Sequence, residues 1–312
     1  MAEKKASAAP GGAVRAGIAF SLMCAACYAM NPVFAKLGYR AGLEGIEILE
    51  ARFFFAVAVL AVAGPLLEKG FYRFDKRLVL HSLGIAALIL IPLNLLYVYA
   101  LKDIPASMMA LITYVYPAVV LAINAVVFSK PVGRRQIVSV AFILIGCVCI
   151  FSDAFGTRVA PFALALGFLS MLMYGIYLLA LQQVSRGVSA LKLTFLTLAM
   201  SLAGLWAIHP PFFMAGMDAS QLSITFGYGF VSTVLSTLFL SKAIQLFGAT
   251  ETGIFCSFEP AFTIIFACLI LGEPVPVFRW LGMAVLISGI VLPNYRAVLG
   301  LFNKKNQMFK GE

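Results

Sequence analysis

Residues 100–150 and 243–293 are faint copies of each other. A shift of 143 positions brings Ala106 onto Ala249, Pro117 onto Pro260, Ala118 onto Ala261, Pro131-Val132 onto Pro274-Val275 and Gly146 onto Gly289, without a gap. The identities are few, but each copy holds two long apolar stretches split by a short polar turn that contains proline. A chain that repeats an apolar helix pair in this way folds as two related halves. Repeated membrane halves are a frequent construction of small-molecule carriers.

The rest of the chain fits a membrane interior. It is 62% hydrophobic and 12% charged, against roughly 45–50% and about 25% in soluble domains. A spanning helix needs about 20 mostly apolar residues. Ten such stretches are readable, near 15–38, 46–68, 77–101, 104–128, 133–152, 159–183, 188–208, 220–246, 249–271 and 276–299. The runs are continuous rather than alternating, which argues for helices and against a β-barrel. The expected fold is therefore an all-α membrane protein. Residues 1–14 are expected to form a disordered tail, 15–152 a first five-helix repeat, 153–299 a second, and 300–312 a basic tail.

The net charge of +10 is a matter of topology, not of nucleic acid. With the N-terminus inside, the inner segments collect Lys4, Lys5, Arg15, Lys69, Arg73, Lys76, Arg77, Lys130, Arg134, Arg135, Arg186, Lys192 and Lys242, then Arg296, Lys304, Lys305 and Lys310. The outer turns hold chiefly Arg40, Lys102, Arg158 and Arg279. That bias places both termini in the cytoplasm. An odd number of helices per repeat then inserts the second copy upside down. The basic turn Lys130-Pro131-Val132-Gly133-Arg134-Arg135 has as its counterpart Glu273-Pro274-Val275-Pro276-Val277-Phe278, which has lost the charge. The first apolar run continues past signal-peptide length into Asn31-Pro32-Val33-Phe34 and reads as a retained helix.

Phe258-Glu259-Pro260-Ala261-Phe262, then Leu271-Gly272-Glu273 and Arg279-Trp280-Leu281-Gly282, resemble the closing signature of the drug/metabolite transporter superfamily, EamA type. Asn31-Pro32-Val33-Phe34 and Ala51-Arg52-Phe53 resemble the matching parts of its first repeat. The resemblance covers essentially the whole chain. It implies a ten-helix basket of two inverted repeats around a central cavity, and export of small molecules across a bacterial inner membrane. Within the family the likeness is greatest to exporters of aromatic amino acids.

Prolines punctuate several spans, and the repeat partners Pro117 and Pro260, together with Pro32, are candidate hinges. Each removes a backbone hydrogen bond and is expected to kink its helix. Glu259 stands within an apolar span, where a charge costs about 2.5–3.5 kcal/mol on insertion scales. A substrate ammonium group, a transported proton or a hydrogen bond to a neighbouring helix would each account for it. His81 is a candidate to carry a proton or to donate a hydrogen bond to substrate, or it packs at an interface. Asn94, Tyr97, Tyr99, Tyr114, Tyr174 and Ser236 complete the candidate cavity set, because hydroxyls, amides and rings together suit a zwitterion with an apolar side chain. The same groups also join helices. Arg52 lies near Glu47 and Glu50, so a local ion pair or snorkelling to the outer interface is the expected role.

No enzyme chemistry is visible: there is no phosphate-binding loop, no metal-ligand spacing and no credible Ser–His–Asp set. Cys24 and Cys27 form a C-x-x-C inside an apolar helix and read as small packing residues. No cofactor or metal is expected, and the partners are a small-molecule substrate and lipid. The sparse interior cations weigh against phosphate carriers. Two other readings remain open: a drug or quaternary-cation exporter, and a non-transporting sensor or assembly subunit.

Overall fold

The computed structural model describes residues 11–103, 109, 112–129, 131–150, 152, 160–185, 187–271 and 277–292. Among these, helix occupies the described part of every apolar stretch, and there is no strand. The helices are α1 (Gly11–Ala29), α2 (Asn31–Arg40), α3 (Gly45–Leu67), α4 (Lys76–Ile85), α5 (Ile91–Asp103), α6 (Tyr116–Val126), α7 (Arg134–Ile150) and α8 (Pro161–Val184). They are followed by α9 (Ala190–Ile208), α10 (Ala219–Gly227), α11 (Ser236–Phe247), α12 (Ala249–Cys256), α13 (Glu259–Leu271) and α14 (Val277–Val291). Among the described residues, five segments are long and apolar enough to cross a membrane: Gly12–Arg40, Lys76–Ala100, Pro161–Val184, Ala190–Ile208 and Ala219–Leu246. Large apolar side chains such as Leu66 and Val126 are more than 80% exposed, as suits a surface whose solvent is lipid.

Several spans are interrupted, and the interruptions have causes. α1 gives way to α2 at Met30, α6 restarts after a turn at Tyr114-Val115, and α13 restarts after a turn at Ser257-Phe258. In all three cases proline is the second residue of the new helix, as Pro32, Pro117 and Pro260. A proline there removes no helical hydrogen bond, because the first N–H groups of a helix have no partner within it. The expected kinks are thus breaks with a restart. Two further irregularities are wide π-helical turns, at Ala86–Leu90 between α4 and α5 and at Tyr228–Leu235 between α10 and α11. Both kinds of irregularity obey the shift seen in the sequence. Tyr114-Val115 falls on Ser257-Phe258, and Ala86–Leu90 falls inside Tyr228–Leu235.

Packing follows the same exchange of halves. α1 packs on α11 as α8 packs on α5, while α3 packs on α9, α6 on α12 and α7 on α14. The α7–α14 seam is a close approach. A Cβ added to Gly146 would lie 2.6 Å from Leu286 Cβ, one added to Gly282 would lie 2.8 Å from the Ile150 nitrogen, and one added to Gly289 would lie 2.1 Å from Phe142 Cβ. Contacts that rise on one helix as they fall on the other mean that α7 and α14 run antiparallel. Small residues let backbones meet where lipid offers no hydrophobic drive to associate.

Candidate functional site

Carbonyls at the breaks accept further hydrogen bonds beside those of the backbone, from their own turn and from other helices. The Ser232 hydroxyl donates to the Cys27 carbonyl at 2.9 Å and Thr263 to the Ala29 carbonyl at 3.5 Å, both at the end of α1. Tyr116 donates to the Gly253 carbonyl in the last turn of α12 at 3.1 Å, and Ser257 to the same oxygen at 2.9 Å. At the exit of the first π-helical segment the Asn94 amide donates to the Leu90 carbonyl at 2.7 Å. The interrupted backbones are thereby tied to one another across both halves, and a polar interior results.

Glu259 is the first residue of α13 and half-buried. That position is favourable for a carboxylate, because the N-terminal end of a helix carries partial positive charge. The Tyr114 hydroxyl is within hydrogen-bonding reach of it, and Tyr97, Tyr116 and Tyr174 lie within its Coulombic reach. Tyr116 and Tyr174 meet edge to face with ring centroids 4.9 Å apart, and Tyr174 continues to Tyr177 at 6.3 Å. Tyr28 joins the group from α1, within hydrogen-bonding reach of Ser236 and Thr237. Tyr97 lies near Glu259, Tyr228 and Arg52 and is 38% exposed.

Of the residues singled out from sequence, Tyr97, Tyr114, Tyr174 and Glu259 are brought together here, and Asn94 lies along the same wall. Ser236 is buried at the edge of the group, its hydroxyl turned to the Ser232 and Thr233 carbonyls of its own helix. His81 and Tyr99 are exposed on α4 and α5. The hinge candidates stand at the three breaks.

Arg52 departs from its expected role. Its guanidinium donates to the Tyr228 hydroxyl at 3.0 Å and to Asn94 Oδ1 at 2.8 Å, and it lies 4.9 Å and 5.1 Å from the ring centres of Phe53 and Tyr228. Glu47 instead accepts from the Glu44 backbone N–H at 2.8 Å, and fully buried Glu50 meets His209 Nδ1 at 2.9 Å. Helix geometry explains this, since residues two apart point about 200° away from each other. Glu50 faces α9 and its far end, so Arg52 faces α5 and the second π-helical segment. Tyr28, Tyr116 and Tyr228 are likewise drawn into the site. For Tyr116 a signal existed, because it is the repeat counterpart of Glu259.

A separate opening of about 470 Å³ lies at the other end of α8, lined by Gln182, Ser185, Gly187, Val188, Ile244, Gln245 and Gly248. None of the charged residues described above lines it. Gln182 accepts from the Ala249 N–H at 2.6 Å, and Gln245 donates to the Ser185 and Val188 carbonyls at 3.2 and 3.0 Å, so these glutamines tie the joint between α11 and α12 to the end of α8.

The EamA-like transporter family matches this chain twice, over residues 15–152 and 161–295. The chain belongs to that family. It is a multi-pass membrane protein of a small-molecule transporter family. Over 64 residues it is 31% identical to a permease-like protein of Bacillus subtilis, YdzE, a stretch that covers 20% of this chain and 82% of that one. A solved crystal structure of another protein overlays on 90% of this chain and 97% of its own, with a TM-score of 0.74 and 14% identity. That likeness concerns the fold alone.

Proposed function

We propose that this EamA-like transporter exports amino acids, aromatic and other neutral ones preferred, and similar small metabolites across a bacterial inner membrane. On this reading ten helices cross the membrane as two inverted repeats, 15–152 and 153–299, with both termini in the cytoplasm. The halves rock about Pro32, Pro117 and Pro260 to open the centre to one side and then the other. Support comes from the paired breaks and π-helical turns, from packing that survives exchange of the halves, and from the antiparallel α7–α14 seam. Interrupted helices in corresponding positions of two halves are where transporters of this kind bind substrate.

The observation that carries the substrate reading is Glu259 among tyrosines. A carboxylate at this depth, held by a neutral hydroxyl rather than by a cation, suits a substrate ammonium group. The rings around it suit an aromatic or aliphatic side chain. Tyr97, Tyr114, Tyr174 and Asn94 are the lining residues this reading uses first. His81, Tyr99 and Ser236 enter it only in a conformation that turns them toward the centre. A second reading has its own support, because a carboxylate within reach of several aromatic rings is also what a quaternary ammonium ion requires.

Flux into proteoliposomes holding only this protein tests both. Labelled phenylalanine, leucine, glutamate and tetramethylammonium are followed with and without an imposed pH gradient. Saturable movement of phenylalanine and leucine, without glutamate, is the expected result, and the response to the gradient decides between uniport and proton coupling. Movement of tetramethylammonium alone would replace the amino-acid reading with the cation one. Cysteine labels placed after Lys130 and after Glu273 are expected to react from opposite sides, and same-side labelling would end the inverted-repeat reading.

A further inference from the structure

Arg52 lies seven residues into α3, about 10 Å along its axis, and is partly buried. A guanidinium there needs an account, because an ion removed from water is several kcal/mol less stable unless it is paired. Its two hydrogen-bond partners, Tyr228 and Asn94, are both neutral, and its Nε is buried with no partner. Among the described residues no carboxylate lies within ion-pairing distance of it: Glu47 caps α3, and Glu50 is taken by His209. Two of the five guanidinium N–H groups are thus used, and each terminal nitrogen keeps one more.

The group is also held still. Asn94 reaches Arg52 through Oδ1 while its own amide is pinned to the Leu90 carbonyl at 2.7 Å. The Tyr228 ring that shares the cation is stacked on Phe34, centroids 5.6 Å apart. A planar guanidinium that keeps an N–H on each terminal nitrogen retains donors for a carboxylate. Tyr97 lies near both Arg52 and Glu259, so it is the common neighbour of two charges of opposite sign.

We propose that Arg52 binds the carboxylate of a zwitterionic substrate, with Asn94 and Tyr228 as its positioning residues and Glu259 as the counterpart for the ammonium group. The proposal rests on the amino-acid reading and goes further, since it requires both charges of the substrate to be recognised at separate residues.

Competition against labelled phenylalanine in proteoliposomes tests it, using phenylalaninamide, which lacks the carboxylate, and 3-phenylpropanoate, which lacks the ammonium. Wild type is expected to take phenylalaninamide at least about tenfold more weakly than phenylalanine, the worth of one charged hydrogen bond. In Arg52→Gln that gap closes to within about twofold, while Arg52→Lys keeps part of it. Asn94→Asp supplies an internal carboxylate to the guanidinium. It is expected to raise the melting temperature and also to close the gap, whereas a purely structural Arg52 predicts only the rise. If folded Arg52→Gln, or folded Asn94→Asp, still transports phenylalanine and keeps the wild-type gap, the proposal is overturned and the amino-acid reading stands. If wild type moves no amino acid, both fall together.

Discussion

The two halves of this protein meet themselves in two contrasting ways. At the α7–α14 seam, repeat partners close on each other through Gly146, Gly282 and Gly289, against Leu286, Ile150 and Phe142. At the broken spans, repeat partners keep the same backbone and differ in chemistry: Tyr116 opens α6 where Glu259 opens α13. Duplication supplied one geometry twice. In the seam both copies kept it for close packing; at the breaks one copy took on a charge. On the proposed reading, the comparison separates residues that hold the shape from residues that face a substrate.

Four substitutions would break or sharpen that contrast. The largest effect is expected at the seam. Gly289→Leu drives a side chain into Phe142, and overpacking of a tight core costs about 1–3 kcal/mol or more. We expect little monodisperse protein in detergent, with partial rescue by Phe142→Ala; a well-folded single variant would show that the seam is looser than described. Glu259→Gln comes next, with the opposite signature: phenylalanine flux falls by about tenfold or more, while the melting temperature holds or rises because a buried charge is gone. Loss of stability without loss of flux would make Glu259 structural.

His209→Ala tests a third kind of pairing, between ends of α3 and α9. It leaves the buried Glu50 carboxylate without its partner, at about 1–3 kcal/mol, read as a fall in melting temperature that Glu50→Gln restores in the double variant. An unchanged melting temperature would mean that water replaces the histidine without loss. The smallest effect is expected from Ser232→Ala, which removes one hydroxyl from the Cys27 carbonyl and is worth about 0.6 kcal/mol in a membrane interior. A larger loss would show that the α1 break depends on that single bond.

Much of this was legible from the residues. The apolar runs located the helices, and the register of Pro117 with Pro260 located a pair of matching breaks. The faces of the helices were not legible, because apolar residues surround most of spans such as α8 and α13, so periodicity does not say which way a side chain looks. That is why His81 and Tyr99, plausible by type, stand exposed, and why Arg52 was assigned to its neighbours in sequence. The Glu50–His209 pair joins residues far apart in the chain and leaves no local signal. The π-helical turns carry no signature of their own; their positions become evident only when the two halves are overlaid.

The difference between Tyr116 and Glu259 has a thermodynamic consequence. On the inverted-repeat reading, two identical halves would make the inward-open and outward-open forms equivalent by a two-fold rotation and equal in free energy, and neither would be a default. One ionisable residue in one half lifts that degeneracy, since its surroundings differ between the two forms. Each 1.4 kcal/mol of that difference tilts the populations about tenfold. A single substitution in a duplicated chain is therefore enough to give the carrier a resting side.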